Sequence, residues 1–296
     1  MKNISVIILN FNTKAILLDC LESIKKYTKD IAYEIIVVDN ASTDGSLDVL
    51  KKMKDIILIE SKENTGFARG NNLGIKVAKG EYILLLNSDI LLEEDSIKKI
   101  VDRISKSSKI GIASCKLLNK DKTVQKNGGF FPDLLHVILW SLFLDQVPFV
   151  QNIFGSYHPH VGSYYKVEHN QDWVTGAFFL IKRQVLDQIK GFNENFFLYV
   201  EELEFCYRAK KKGWEVLYTP ETYIIHLGGA SGSTQLSVLQ EYKNLRLFYK
   251  IHFNLISRLG LILTLKINIL LRLVLKGIVL RKKGAFETYA KALAII

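Results

Sequence analysis

Cysteine is scarce: Cys20, Cys115 and Cys206 are the only three in 296 residues, far apart and with no CxxC spacing. That excludes a disulfide framework and a thiolate zinc site, and it reads as reduced core thiols of a cytosolic chain. Proline is absent from the first 130 residues, so nothing there interrupts helices or central strands. A charge-free membrane span is also missing. The segment LGLILTLKINILLRLVLKGIVL at 259–280 has the length but carries Lys266, Arg272 and Lys276, which make spanning costly. The opening MKNISVIILN offers a six-residue apolar run closed by Asn10 and Asn12, too short for a signal-peptide core and expected to be the first strand. Acids nearly vanish at the end of the chain. Residues 241–296 hold eleven Lys or Arg and two acids, Glu241 and Glu287, so +9 of the net +10 lies in the last 56 residues. A basic segment mixed with Leu and Ile points to an anionic membrane surface and not to nucleic acid.

An apolar content of 48% supports a large α/β domain with an appendage. Strands are expected at 4–9, 34–39, 56–60, 82–87 and 110–114, and helices near 14–27, 44–53, 67–79 and 94–107. Strands apolar on both faces that alternate with helices imply a mainly parallel central sheet with helices on both faces. From 129 to 172 the texture changes: Pro132, Pro148, Pro159, many aromatics and the run LLHVILWSLFL mark an insertion. Regular structure resumes with a strand at 177–182 and a helix at about 201–212 that ends in three lysines before Gly213. Strands EVLYT and TYIIH follow.

In such sheets ligands bind beyond the carboxyl ends of strands. The residues there are Asn10-Phe11-Asn12, Asp39-Asn40 and Asn87-Ser88-Asp89. The abrupt stop of LLLNSDI is either an ordinary turn or part of a site at that edge. Asn10, Asp39 and the loop NTGFARGNN at 64–72 are candidates for nucleotide recognition. A fixed carboxylate can accept from a base or ribose, Gly66 and Gly70 let backbone approach a ligand, and Arg69 can meet phosphate or stack on a base. A helix start capped near Asn64 or Thr65 is the alternative for that loop. The spacing is not GxGxxG, which disfavours a Rossmann dinucleotide site.

Seven blocks then occur in order over roughly residues 3–250: VIILNFN, VVDNASTDGS, NTGFARGNN, LLLNSD, WVTGAFFLIKR, FFLYVEELEFCYRAKKKGW and IIHLGGAS. Together they resemble the signature blocks of family-two inverting glycosyltransferases of the GT-A fold, most closely the bacterial rhamnosyltransferase-like members. The resemblance implies a GT-A domain over 1–240, with 129–172 a variable acceptor-side insertion, and the charge and apolar pattern of 241–296 make that segment an expected basic, helical, membrane-associating one. It implies nucleotide binding by Asn10, Asn12, Asp39, Asn64, Gly66, Arg69, Asn71 and Ser88. LLLNSD takes the metal-binding DxD position, where Asp89 would hold Mn²⁺ or Mg²⁺ against two phosphates and Asn87 would help through its amide oxygen or a water. His226 is a second candidate ligand, since neutral imidazole suits Mn²⁺ better than Mg²⁺; a satisfied loop histidine is the alternative. Glu202 maps onto the catalytic base, with Glu201 and Glu204 orienting or binding the acceptor. Trp173, Thr175 and Gly176 map onto the loop between donor and acceptor. Asn87 and Glu202 depart from the family's pattern, which has Asp at both places.

The activity so implied moves a sugar, with inversion, from dTDP-rhamnose or a UDP-sugar to a hydroxyl of a lipid-linked or glycan acceptor. The implied setting is surface polysaccharide synthesis at the cytoplasmic face of the cell membrane. A sugar-nucleotidyltransferase would need a basic, Gly-rich triphosphate loop near the first strand, which NFNTKAILLDC does not supply. A non-catalytic nucleotide-sugar binder is favoured by the two departures. At 100° per residue Arg258, Asn268, Arg272, Lys276 and Lys266 fall within about 160° of arc, so an interfacial amphipathic helix is expected. A dimerisation helix, giving a homodimer, is the alternative. LLHVILWSLFL is a candidate second membrane contact.

Overall fold

A computed structural model describes residues 3–160, 162–228 and 234–296. Gly229 to Ser231 of the IIHLGGAS block lie outside the described residues. The chain divides into two compact units. The first takes residues 1–128, 161–197 and 201–231, and the second takes 129–160, 198–200 and 232–296.

The first unit is built on one twisted sheet. Strands β1 (Asn3–Asn10), β2 (Ala32–Asp39), β3 (Ile57–Glu60) and β4 (Tyr82–Asn87) form its parallel half, joined through α1 (Lys14–Tyr27), α2 (Ser46–Leu50) and α3 (Gly66–Val77). Next come β5 (Ile90–Leu91), α4 (Ser96–Ser105), β6 (Ile110–Leu118), β7 (His169–Gln171), β8 (Phe178–Lys182), α7 (Arg183–Ile189), α8 (Glu201–Lys211) and β9 (Glu215–His226). The sheet order is β3-β2-β1-β4-β8-β6-β9-β5, with β7 beside β9. The longest registers, β1 with β2 and β6 with β9, are parallel, whereas β8 is antiparallel to both its neighbours. This is the mainly parallel sheet that the alternating apolar runs imply, and it agrees with the GT-A fold that the resemblance implies.

Burial explains the strand composition. Ile4, Val6 and Ile8 of β1 pack with Leu17, Leu21 and Ile24 of α1 in a core that also takes Leu84 and Leu86 of β4. Each such side chain contributes about 1.5–3 kcal/mol when fully buried. Gly70 belongs to this packing: a Cβ there would sit 2.5 Å from Leu9 Cδ1, so the glycine lets α3 lie close on β1. Its expected role at a ligand is replaced by helix–strand contact.

EVLYT and TYIIH turn out to be one strand, β9, with an irregularity: the register jumps from Cys115↔Thr219 to Lys116↔Tyr223. Pro220 falls in the skipped stretch, where its missing N–H costs no ladder bond.

The second unit contains α5 (Leu134–Ser141), α6 (Pro148–Phe154), α9 (Thr234–His252), α10 (Leu255–Arg272) and α11 (Ala285–Ile295). The expected boundary at 240/241 falls inside α9, and residues 129–160 of the expected insertion join the C-terminal helices in this unit. Helix α10 buries Leu261, Leu265 and Ile269 together with Asn268 of its polar arc, and Arg258 and Arg272 of that arc are half-buried. Asn268 is buried and accepts from the Tyr242 hydroxyl, and the Arg272 guanidinium lies 4.9 Å over the rings of Trp140 and Phe143. Arg258 donates to the main-chain oxygens of Tyr249 and Phe253. The opposite face, Leu255, Ile256, Leu259, Leu263, Ile267 and Leu270, is exposed, up to 81% at Ile256. The first eight residues of LLHVILWSLFL form α5, with Val137 and Leu139 buried; Leu135, Leu142 and Leu144 of the run are exposed, as are Phe149 and Ile153 on α6.

Candidate active site

The carboxyl ends of β1 and β2 meet first. Parallel register sets Asn10 opposite Asp39. Asn10 Nδ2 donates to Asp39 Oδ2 at 2.7 Å and to Ser42 Oγ at 3.0 Å, and Asp39 Oδ1 accepts from the Ser42 N–H at 3.0 Å. Thr13 Oγ1 lies 2.7 Å from Asn10 Oδ1 and 2.9 Å from Ser88 Oγ, which ties the turn after β4 to this pair. Asn10, Asp39 and Ser88 are buried together. Asn12, with left-handed backbone at φ 56, accepts from the Thr43 N–H at 2.7 Å on the exposed rim.

The NTGFARGNN loop opens α3. Asn64 Oδ1 accepts from the Gly66 N–H at 3.0 Å and from Asn40 Nδ2 at 2.9 Å, while Asn40 Oδ1 accepts from the Thr65 N–H at 2.9 Å. Gly66 is required here: φ is +76, and a Cβ would meet Phe197 O at 2.2 Å. Arg69 is exposed and pairs only loosely, at 3.5 Å to Glu63 and 4.0 Å to Glu194. Asn71 is buried, and its Nδ2 donates to Phe67 O at 2.9 Å within its own helix.

The turn after β4 is pinned to β9. Strand β5 sets Ile90 opposite His226, and Asp89 O accepts from the Leu227 N–H at 2.9 Å. Asp89, 3% exposed, therefore brings Oδ1 to 3.3 Å from His226 Nε2, across a long stretch of sequence. Asn87 is held by its main chain, its N–H donating to Ala177 O at 3.1 Å, and its half-buried side chain makes no hydrogen bond among the described residues. Gln125 grips His226 twice. Its Oε1 lies 2.8 Å from His226 Nδ1, and its Nε2 donates to His226 O at 2.7 Å.

The third edge is the start of α8. Tyr199 and Val200, just before it, both have left-handed backbone, at φ 68 and 72. That conformation is costly for a β-branched valine. Buried Asn244 donates to Leu198 O and Tyr199 O, both at 2.8 Å. Glu201 is buried, and its Oε2 meets no donor among the described residues. Burial first, and the charge of Glu202 second, push its carboxyl well above the usual carboxylate range. Glu202 is half-buried.

Glu204 is a correction. It is buried, and both oxygens accept from Arg208 Nε at 2.9 Å, while the same guanidinium donates to Ile189 O and Gly191 O. That carboxylate anchors α8 to the turn after α7 instead of meeting an acceptor. Trp173 is buried; Thr175 N and Oγ1 both donate to Asn127 Oδ1 at 3.1 Å; a Cβ on Gly176 would lie 2.6 Å from Phe67 Cζ.

Gln125, Asn127 and Asn40 are the residues that sequence reasoning missed. Gln125 and Asn127 follow a chain reversal in which Val124 bridges back to Leu118. The stretch NKDKTVQKNGG has the composition of any polar turn. Asn40 was visible only as the neighbour of Asp39 at a strand end.

Residues 5–190, more than half of the chain, match the family model described as glycosyl transferase family 2. The chain belongs to glycosyl transferase family 2. Among its family-2 relatives is the low-salt glycan biosynthesis hexosyltransferase Agl10 of Haloferax volcanii, 29% identical over 219 residues. That match covers 71% of this chain but only 62% of the relative, so the chain spans less than two thirds of that protein. A second is the N-acetylglucosaminyl-diphospho-decaprenol L-rhamnosyltransferase of Mycobacterium tuberculosis, 22% identical over 65% of this chain and 66% of its own length. The family-2 fold is matched by the mannosyltransferase PcManGT of Pyrobaculum calidifontis, solved with GDP-Man and Mn²⁺. Its TM-score is 0.59 at 17% identity, covering 98% of this chain and 74% of that one.

Proposed function

We propose that this family-2 chain is an inverting glycosyltransferase that moves a sugar from a nucleotide-diphosphate donor to an acceptor hydroxyl. The observation that carries the reading is the Asp89–His226 pair, 3.3 Å apart at two strand ends of the edge that also holds the buried Asn10–Asp39 pair. A carboxylate oxygen and an imidazole nitrogen fit Mn²⁺. No group of three His, Cys, Asp or Glu able to hold a metal occurs among the described residues, so donor phosphate oxygens and water would complete the shell. When bound, the cation neutralises charge on the diphosphate as it leaves.

The Asn10–Asp39 edge binds the nucleoside. Glu202 takes the proton of the acceptor hydroxyl as its oxygen forms a bond to the anomeric carbon and the bond from that carbon to the diphosphate breaks. Burial and the charge of Glu202 push the Glu201 carboxyl well above the usual carboxylate range, and half-buried Glu202 is the one assigned as proton acceptor. A relative named for L-rhamnosyl transfer to a decaprenol-linked sugar supports a dTDP-rhamnose donor and a lipid-linked acceptor, and one named a hexosyltransferase supports a UDP-hexose.

The acceptor setting we infer is the cytoplasmic face of the cell membrane in surface polysaccharide synthesis. No helix among the described residues is long and apolar enough to cross a membrane. The basic charge of residues 241–296 and the outward apolar face of α10 support attachment to the surface. A panel of nucleotide-sugars tested with and without Mn²⁺, by thermal shift and by sugar transfer, decides the reading. One donor should stabilise in a Mn²⁺-dependent way and turn over; binding without transfer or hydrolysis would make the chain a binder only.

A further inference from the structure

The second unit has a groove between α9 and α10 that the transfer reaction does not use. It encloses about 420 Å³ and has walls that are mostly apolar, a size suited to a small ligand. Lys243, Arg246 and Lys250 come from α9 and Leu255, Leu259 and Arg258 from α10; no acid lines it. The three α9 cations stand at i, i+3 and i+7, one face of the helix. Lys243 and Lys250 have no ion-pair partner among the described residues, and Arg246 and Arg258 donate to neutral main-chain oxygens, so four positive charges stand uncompensated.

A cationic rim over an apolar wall is complementary to an amphiphile with an anionic head. The groove's outer wall decides where that amphiphile resides. Leu255 and Leu259, 66% and 58% exposed, line the groove and also begin the apolar stripe that continues through Leu263 and Ile267. A surface helix normally hides its apolar stripe and shows its polar one. Here Leu261, Leu265, Asn268 and Ile269 already form the buried face of α10, and a second apolar stripe is left outside, flanked by exposed Lys266. The groove and the stripe are therefore one continuous surface, basic at one end and apolar along its length.

We propose that the α9–α10 groove binds the phosphate headgroup of an anionic bilayer lipid, with the α10 stripe seated among the acyl chains. This deepens the membrane setting inferred above by giving it a specific lipid site, and it does not depend on the transfer chemistry. The occupant is a bilayer lipid and not free phosphate, because the apolar wall has no counterpart in a small ion.

The test uses the full chain and sedimentation with phosphatidylcholine vesicles that contain or lack phosphatidylglycerol. Wild type should bind only the anionic vesicles. The double variant Lys243→Glu/Lys250→Glu should lose at least tenfold in affinity, since each basic residue near such a surface is worth roughly a fivefold change. Leu255→Ser/Leu259→Ser should lose a similar amount, while Lys106→Glu/Lys109→Glu, an equal change of net charge in the first unit, should bind as wild type. Equal loss in all three variants would reduce the effect to general electrostatics and overturn the groove. So would displacement by inorganic phosphate beyond that caused by chloride of equal ionic strength. A dimer in sedimentation velocity that the leucine variant dissociates would show a second copy as the occupant. If wild type binds no vesicle, the membrane setting fails with the groove, and nucleotide-sugar binding by the same preparations shows that the catalytic reading stands apart from it.

Discussion

Gln125 fixes which nitrogen of His226 carries the proton. Its Nε2 donates to His226 O at 2.7 Å and to Asn119 Oδ1 at 2.6 Å, so the amide cannot be turned over without setting its oxygen against two acceptor oxygens. Oε1 then accepts at 2.8 Å from a protonated Nδ1, so in the neutral ring the lone pair is on Nε2, the nitrogen 3.3 Å from Asp89 Oδ1. A metal-binding histidine needs this arrangement of a donated far nitrogen and a free near one.

Gln125→Leu should therefore weaken Mn²⁺ binding by about 10–100-fold, as loss of such an outer partner commonly does. Gln125→Glu keeps the acceptor and should retain most of the affinity. Nitrogen-15 NMR of the imidazole, recorded without metal, reads the tautomer independently. A leucine variant with the wild-type tautomer and wild-type Mn²⁺ affinity would remove Gln125 from this role.

Asp89→Ala should abolish metal-dependent donor binding and leave the fold intact. The bond from the Leu227 N–H to the main-chain oxygen of residue 89 does not involve the side chain. Donor titrations with and without Mn²⁺ check it; an unchanged metal dependence would make Asp89 a turn residue only.

Glu202→Gln should keep donor affinity and lower transfer by about 10²–10⁴-fold, the usual contribution of a general base. A full-rate Glu202→Gln enzyme beside a dead Glu201→Gln enzyme would move the proton acceptor one residue earlier.

Glu201→Gln separates structure from chemistry by pH. The wild-type carboxyl is raised in the folded state by burial and by Glu202. Folding is thus favoured by this group below its unfolded value, about 4.3, and that contribution is lost as pH rises through the folded value. The neutral glutamine escapes the loss. Melting temperatures should shift in favour of the variant as pH rises above about 4.3; a difference that does not change with pH would mean that Glu201 is ordinarily ionised in the folded protein.

Asn244→Leu removes both hydrogen bonds that hold the left-handed Tyr199–Val200 backbone ahead of Glu201. We expect a stability loss of about 1–3 kcal/mol from the carbonyls left without a partner, with kcat reduced and donor affinity kept. Equal losses in donor binding and kcat would show general unfolding instead of misplacement of the α8 start.

The sequence by itself determined the strand ends. Apolar runs that stop in Asn10, Asp39 and Asn87-Ser88-Asp89 fix where a parallel sheet presents polar groups, because every strand of the parallel half runs the same way and ends at the same edge. It also determined that Glu201 and Glu202 open a helix and that positive charge gathers at the C-terminal end. Only the tertiary structure decided partners. Asp89 and His226 are 137 positions apart, and the two-residue strand β5 that brings them together is too short to have a periodicity. Gln125 and Asn127 look like turn filler until the chain reverses over β6. Glu204 reads as a third acid of the site until Arg208 takes both its oxygens, and Asn71 as a loop amide until α3 closes around it. The arc of α10 was legible as a pattern, but a pattern of angles says only that two faces differ. Which face meets protein was settled by burial of Leu261, Leu265 and Ile269 with Asn268, while Arg258 and Arg272 found hydrogen-bond and aromatic partners beside them, which left Leu255, Leu259, Leu263 and Leu270 outside.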